Sequence, residues 1–315
     1  MTVLVLAADR DPTADRVIRT LYERDVPHVR FDTARFPLEA AIDAELRQGR
    51  WTGRLRTNGK IVALEELRSI WYRSPGAFEF PGTLSATERQ WATTESKLGL
   101  GGVLAALPVC WVNHPARNAD AAYKPVQLVT AARCGLQVAD TLVTNEPEAV
   151  RRFACGGEVV TKAFGSPSIR EEGVRKVTFT ALVTESDLAD LRGIEVSAHQ
   201  FQRWVPKLCE ARVIVVGDRL FAAAIHARTE ETRVDWRNDY SALRYERIEP
   251  PAQVTNGVRG YCAALGLVYG AFDFVIRPDG AWVFLECNAG GQYGWIEDEI
   301  EAPISEAIAD VLEAG

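Results

Sequence analysis

The fold of this chain is decided by the stretch Gly270-Ala-Phe-Asp273-Phe-Val-Ile276, Arg277-Pro-Asp-Gly280 and Ala281-Trp-Val-Phe-Leu-Glu286-Cys-Asn288. Two apolar runs around a Pro-Asp-Gly turn predict a β-hairpin. Because side chains alternate along a strand, Glu286 and Asn288 share one face and lie about 7 Å apart.

The register of this hairpin decides whether a second carboxylate joins that face. A loop of even length pairs Ile276 with Ala281, which places Asp273 opposite Phe284 and one diagonal from Glu286. Two carboxylates and an amide oxygen then converge, and these are the hard oxygen ligands that Mg²⁺ takes together with substrate phosphates. The alternative is a carboxylate pair that is neutralised by arginines at a sheet surface.

Length and composition restrict the function. The 315 residues predict two or more domains, and the 36 basic and 43 acidic residues leave a net charge of −7. That balance argues against a nucleic-acid partner, and no apolar stretch approaches the roughly 20 residues of a membrane span. Six scattered cysteines without a C-x-x-C pair predict reduced thiols in the cytoplasm. The four histidines form no zinc-binding pattern.

The order of elements predicts an α/β region followed by an α+β region. We expect a doubly wound domain over residues 1–114, a central subdomain over 115–204 and a C-terminal subdomain over 205–315 with the carboxylate hairpin. The first βα turn, Ala7-Ala-Asp9-Arg-Asp11, lacks the glycines of a dinucleotide site, and its aspartates would repel a pyrophosphate. A P-loop motif does not occur.

Two lysines are candidates for binding an anion. Lys162 lies in the apolar strand pattern 159–164, next to the small-residue loop Gly165-Ser-Pro-Ser168. Lys124 precedes Pro125 at a predicted helix start, where backbone N–H groups also attract anions. The alternative for Lys162 is a solvated strand lysine.

Several motifs resemble those of ATP-grasp ligases, and specifically the ribosomal peptide maturases that make graspetides, the microviridin-like ω-ester and ω-amide peptides. The resemblance covers nearly the whole chain. The matching segments are Asn113-His-Pro with Lys124, Val160-Thr-Lys162, His199-Gln-Phe-Gln-Arg-Trp-Val-Pro-Lys207, Arg212-Val-Ile-Val-Val-Gly-Asp218, Ile70-Trp-Tyr-Arg73, Asp235-Trp-Arg237, Leu267-Val-Tyr-Gly-Ala-Phe-Asp273, Phe284-Leu-Glu-Cys-Asn288 and Gly290-Gly-Gln-Tyr-Gly-Trp-Ile-Glu297.

The resemblance implies an ATP-grasp fold behind an N-terminal pre-ATP-grasp domain, with ATP and Mg²⁺ as cofactors. Each site residue receives an expected role from it. Lys124 and Lys162 hold phosphates; Gln200, Trp204 and Val205 form the adenine hinge; Asp273, Glu286 and Asn288 hold Mg²⁺; Arg212 stabilises the transferred phosphoryl group; Arg237 orients the reacting carboxylate; Arg73 and Asp235 contact the substrate.

The implied reaction is ATP-dependent macrocyclisation of a precursor peptide. An Asp or Glu side chain becomes an acyl phosphate, which a Ser or Thr hydroxyl or a Lys amine of the same peptide attacks. The expected partners are this peptide, with its leader, and a second copy of the chain. Two other functions stay open: a carboxylate–amine ligase acting on a small molecule or protein tail, and a non-catalytic peptide-binding module. For Arg73 the alternative is a strand-end ion pair, and for Arg237 a solvated loop.

Overall fold

The computed structural model describes residues 1–165, 180–227 and 243–315, together with the backbone of 168–171 and 174–177. Within these residues, no helix has both the length and the apolar character needed to cross a membrane.

The first 112 residues form a parallel sheet and a small antiparallel sheet. The parallel sheet has the order β2-β1-β6-β7, and β3-β4-β5 form the antiparallel meander. The sequence patterns predict the parallel strands but not the meander. The elements are β1 (Thr2–Ala7), α1 (Pro12–Glu23), β2 (His28–Phe31), β3 (Ala41–Arg47), β4 (Arg50–Thr57), β5 (Lys60–Ala63), β6 (Leu67–Ser74), α2 (Ala86–Ala105) and β7 (Cys110–Val112).

Local sequence explains how both helices of this region begin. The Asp11 side chain caps α1 by accepting from the backbone N–H groups of Thr13 and Ala14, and Pro12 occupies the first turn. Ser85 and Glu88 form the capping box that opens α2. Asp11, one of the two aspartates that argue against a phosphate loop, is therefore a helix cap.

The middle of the chain forms a second sheet, with the order β13-β10-β14-β9. Its short strand β8 instead joins the third sheet, where it pairs in parallel with β19. The elements are α3 (Pro115–Ala121), α4 (Lys124–Arg133), β8 (Gln137–Val138), β9 (Thr141–Thr144), α5 (Pro147–Ala154), β10 (Val159–Lys162), β11 (Ser168–Glu171), β12 (Val174–Val177), β13 (Ala181–Leu182), α6 (Glu185–Ala189) and β14 (His199–Arg203).

The C-terminal part contributes the main strands of the third sheet, with the order β17-β16-β15-β18-β19-β8. All neighbours in this sheet are antiparallel except the β19–β8 pair. The elements are β15 (Cys209–Val216), β16 (Arg219–Ala227), β17 (Leu243–Ile248), α7 (Ala252–Leu265), β18 (Tyr269–Ile276), β19 (Trp282–Asn288), α8 (Gly294–Glu299) and α9 (Ile304–Ala314).

A shared core joins the two ends of the chain. Ile304 and Ile308 of the last helix, α9, pack in one buried cluster with Val3 and Val17 of the first strand and helix and with Ile214 of β15. Each such side chain contributes about 1.5–3 kcal/mol when it is buried. The N-terminal sheet therefore packs against the third sheet through a shared hydrophobic core.

The predicted register of the last hairpin is wrong. Ile276 pairs with Trp282, so the loop has odd length, and a β-bulge follows between Asp273 and Phe274. The bulge shifts the register by one residue and brings Asp273 directly opposite Glu286. The two carboxylates therefore share a face as expected, although the pairing differs from the predicted diagonal.

Candidate functional site

Three charged residues form a row across adjacent strands of the third sheet. Arg212 on β15 pairs with Asp273 on β18, which pairs with Glu286 on β19. Nη1 of Arg212 donates to both oxygens of Asp273 at 2.8 Å. Both side chains are buried, so their ion pair needs this geometry to offset desolvation. We call this row the carboxylate wall.

Lys124 completes the charge balance of the carboxylate wall. It is the first residue of α4, as predicted, and its Nζ forms an ion pair with Oε2 of Glu286. About four fifths or more of both side chains are buried. Each carboxylate of the wall thus has a cation partner, so the facing acids do not repel each other without relief.

A cleft that is open to solvent separates the carboxylate wall from the second sheet, whose strands β10 and β14 we call the lysine wall. The cleft is lined by Val160, Lys162, Thr180, Gln202, Arg203, Trp204, Val205, Lys207, Glu210, Asp273, Val275, Leu285 and Glu286.

The predicted hinge residues share the cleft side of the second sheet, but they are not all among the residues that line the cleft. Trp204 and Val205 line the cleft, together with Lys162. Gln200 does not: it pairs with Lys162 within the sheet and is 1% exposed. Gln202, two residues further along the same strand, lines the cleft instead.

Sequence reasoning missed an ion pair at the cleft. Lys207 and Glu210 contact each other, and over nine tenths of each side chain is buried. Nζ of Lys207 also lies 5.3 Å from the ring centroid of Trp204, a cation–π distance. The spacing i, i+3 across the Lys-Leu-Cys-Glu segment was the available signal, but it is too common to single out a site.

The oxygen donors of the carboxylate wall and of the neighbouring Asn288 fit a hard cation. Asp273, Glu286 and Asn288 offer only oxygens, which is what Mg²⁺ requires. The described residues contain no group of three or more His, Cys, Asp or Glu that could hold a metal unaided. Two carboxylates and an amide therefore suit an ion whose shell a phosphate ligand completes. Asn288 is exposed, and its Oδ1 already accepts from the Gly290 N–H at 3.0 Å.

Arg73 makes the contacts of a strand-end ion pair, which is the alternative to a substrate contact that the sequence left open. Its Nε lies 3.5 Å from Oδ2 of Asp11, and its Nη1 donates to the Gly290 carbonyl at 2.7 Å. With 4% of the side chain exposed, these contacts are those of a strand-end ion pair. Asp235 and Arg237 lie outside the described residues.

The two thiols behind the carboxylate wall, Cys287 and Cys262, are not activated as nucleophiles. Burial raises the pKa of the Cys287 thiol well above its usual value, and raises that of Cys262 to about 12. Both pack in the core on the side of the sheet away from Asp273 and Glu286, beside Phe272. A neutral, buried thiol is inert, so neither side chain is a candidate nucleophile.

Comparison with known proteins assigns the chain to the class of the ATP-grasp ligases. Residues 2–119 match the family model of the MvdD pre-ATP grasp domain. A search of curated protein sequences finds no match.

Three solved structures are similar over essentially the whole chain. The macrocyclase MdnC of Microcystis aeruginosa MRC, bound with precursor peptide MdnA, is 30% identical over 100% of both chains, with a TM-score of 0.89. The macrocyclase MdnB of the same organism is 30% identical over 100% of this chain and 99% of that one, with a TM-score of 0.83. The RiPP-associated ATP-grasp ligase of Chryseobacterium gregarium, in complex with ADP and a leader and core peptide, is 28% identical over 99% and 96%, with a TM-score of 0.91.

The chain belongs to the family of ATP-grasp ligases that mature ribosomally made peptides. This confirms the fold class predicted from the sequence, an ATP-grasp fold behind an N-terminal pre-ATP-grasp domain. The division at residues 114 and 204, and the roles of the individual site residues, stay predictions.

Proposed function

We propose that this protein uses ATP and Mg²⁺ to close rings in a ribosomally made precursor peptide. The observation that carries the proposal is the convergence of Lys162, Asp273 and Glu286 on one cleft, with Lys124 paired to Glu286. Lysines and paired carboxylates across a cleft are what a triphosphate and its magnesium require. Similarity to peptide-bound macrocyclases over the full chain supports the peptide substrate.

In this proposal the nucleotide lies between the two walls. Lys162 holds phosphate oxygens from the lysine wall, and Lys124 leaves Glu286 to hold them from the other side. Trp204 and Val205 border the adenine at the hinge, and Gln202 of the same segment lines the cleft beside them. Arg212 neutralises and orients Asp273, because its Nη1 donates to both carboxylate oxygens, and its charge is proposed to stabilise the transferred phosphoryl group as well. Asp273, Glu286 and Asn288 would hold Mg²⁺, which supplies positive charge to the phosphates when bound.

The proposed reaction has two steps. A carboxylate oxygen of a peptide Asp or Glu bonds to the γ-phosphorus, and the bond from that phosphorus to ADP breaks. A Ser or Thr hydroxyl or a Lys amine then attacks the acyl carbon, loses a proton, and releases phosphate. The protein contributes alignment and charge neutralisation, and no side chain of its own becomes covalently modified.

The peptide is the proposed partner, with Ser, Thr or Lys and Asp or Glu in its core and a separate leader. Arg237 is proposed to orient its reacting carboxylate, and Asp235 to contact the peptide. A homodimer is part of the same proposal, and light scattering measures it. We expect a precursor without its leader to react slowly, and leader added in trans to restore part of the rate.

Mass spectrometry of a candidate precursor, a short peptide with Ser or Thr and Asp or Glu near its C-terminus, tests the function. With enzyme, ATP and Mg²⁺, the peptide should lose one water per bond formed, and ADP should appear in equal amount. A peptide of unchanged mass, with ADP formed only when a free amino acid or amine is supplied, would favour the small-molecule ligase instead. Binding of the peptide without any ADP would favour the non-catalytic module.

A further inference from the structure

Side-chain hydrogen bonds hold the loop that follows Asn288. The backbone carbonyls of the four consecutive residues 289–292 each accept a hydrogen bond from a buried or largely buried side chain, and the four donors come from four different strands or loops. Nδ2 of Asn113 donates to Ala289 at 2.9 Å, Nη1 of Arg73 to Gly290 at 2.7 Å, the Tyr269 hydroxyl to Gly291 at 2.7 Å, and Nη2 of Arg212 to Gln292 at 3.0 Å.

Asn113 is the most fully engaged of these donors. It is 1% exposed, and its Nδ2 also donates to the Tyr269 carbonyl at 2.8 Å. Its Oδ1 accepts from the N–H groups of Val268 at 2.7 Å and Tyr269 at 2.9 Å. The amide thus makes four hydrogen bonds, its full capacity. It ties the start of β18, which carries Asp273, to the loop after β19, which carries Glu286 and Asn288.

The peptide group between Ala289 and Gly290 connects Asn113 to Asn288. This peptide is trans, so its C=O and N–H point in opposite directions. The carbonyl accepts from Asn113, and the Gly290 N–H on the other side donates to Oδ1 of Asn288 at 3.0 Å. We propose that Asn113 is a positioning residue, which holds this peptide group so that the amide oxygen of Asn288 is fixed as a cation ligand.

The exposure of the Asn288 side chain explains why a positioning residue is needed. Asn288 is exposed, so nothing in the core fixes its side chain. One N–H bond orients the oxygen and leaves its second lone pair for a cation. Residues behind a ligand typically change metal affinity about 10–100-fold when they are altered. This inference rests on the proposed function, since it assigns a supporting residue to the proposed magnesium site.

Two variants remove the tether in different ways. Asn113→Asp keeps the shape and the two accepted N–H bonds but loses both donations, whereas Asn113→Ala removes all four contacts. The matched control is Ser69→Ala. Ser69 is also fully buried, and its Oγ donates to the Leu312 carbonyl at 2.7 Å, which ties the same N-terminal sheet to the C-terminal helix but not to the loop.

For each variant, electron paramagnetic resonance measures the affinity for Mn²⁺ in the presence of ADP, and the melting temperature is measured in parallel. We expect both Asn113 variants to bind Mn²⁺ about tenfold or more weakly, and Ser69→Ala to bind it normally at a lowered melting temperature. Folded Asn113 variants with wild-type affinity, or an equal loss in Ser69→Ala, would overturn the proposal. Wild type that fails to bind Mn²⁺ at all would instead refute the proposed function.

Hydrogen exchange of the wild-type protein keeps the test decisive if neither variant folds. A tether that exists before the cation arrives should protect the Gly290 amide in metal-free, nucleotide-free protein. Rapid exchange of that amide, with protection only after Mg²⁺ and ADP are added, would mean that the ligand and not Asn113 orders the loop.

Discussion

The two walls of the cleft are built differently. The carboxylate wall belongs to a sheet with buried apolar side chains on both faces, among them Ile214 and Ala271 on one side and Val213 and Phe272 on the other. Among the described residues, the core behind the lysine wall has four buried side chains: Val150, Val159, Ile194 and Phe201.

The carboxylate wall also shares its face with the core that joins the chain ends. Side chains two residues apart on a strand share a face, so Arg212 and Ile214 point to one side of β15, and Ala271 and Asp273 point to the same side of β18. On that side, Ile214 and Ala271 are packed in the core, whereas Asp273 lines the cleft. The carboxylates are thus positioned before any ligand arrives. The lysine wall has less packing to fix it, and we expect the nucleotide to set its final position.

The largest effect should come from Glu286→Gln, which breaks the carboxylate wall chemically while keeping side-chain volume. Bond formation should fall about a thousandfold or more, because the charge that balances the cation is lost. Circular dichroism should be unchanged. The apo protein should gain no stability, since Lys124 already relieves Glu286 of repulsion. An active Glu286→Gln enzyme would refute the site, and exposed Glu299→Gln serves as a silent control.

On the lysine wall, Lys162→Ala should weaken ATP binding while the fold survives. Losing a charge-assisted hydrogen bond of about 1.5–3 kcal/mol corresponds to roughly 10–150-fold in dissociation constant. Calorimetry measures it, with Lys60→Ala as the control because Lys60 is an exposed strand lysine. Equal affinity in Lys162→Ala and wild type would remove Lys162 from the nucleotide site.

The sequence predicts the carboxylate wall well because alternation along a strand is a local property. Asp273 and Glu286 share a face as expected, although the strand register that brings them together differs from the predicted one. The odd loop alone would have set Asp273 opposite Leu285 and on the wrong face, and the bulge corrects this. Loop parity and bulges depend on packing, which the sequence pattern does not contain.

Non-local contacts explain most of what the sequence could not predict. Asn113 reaches Val268 and Ala289 across more than 150 residues, and no spacing rule connects them. The meander of β3, β4 and β5 was missed because its strands carry many charged residues and a glycine, Gly53, at a positive φ of 135°. Strand alternation places Gln200 on the same face as Gln202 and Lys162, although Gln202 and not Gln200 is among the residues that line the cleft.

The difference in packing can be read directly by hydrogen exchange. In nucleotide-free protein, amides of β10 and β14 should exchange faster than those of β15 and β18, because the smaller core opens more often. Adding ADP and Mg²⁺ should slow exchange in the lysine wall far more than in the carboxylate wall. Equal protection of both walls without nucleotide would contradict the contrast between them.

The smallest effect should come from Cys287→Val, on the side of the carboxylate wall's sheet away from the cleft. Activity near neutral pH should be nearly unchanged. Burial raises the pKa of Cys287 above that of the unfolded thiol, so its contribution to stability is complete below the unfolded value, about 8.5, and falls as pH rises beyond it. Denaturant unfolding of Cys287→Val should therefore show a shallower loss of stability at alkaline pH, and an identical slope would contradict this.

In the proposed reaction, a phosphoryl group passes from ATP to a carboxylate of the peptide in the cleft between the two walls. The transfer of labelled oxygen from that carboxylate to the released phosphate tests this step most directly. A precursor with heavy oxygen in its Asp and Glu side chains is incubated with enzyme, ATP and Mg²⁺, and the released phosphate is analysed by mass spectrometry. We expect one heavy oxygen in the phosphate for each bond formed, because the acyl C–O bond breaks in the second step. Ring formation with unlabelled phosphate would contradict activation of the peptide carboxylate as an acyl phosphate.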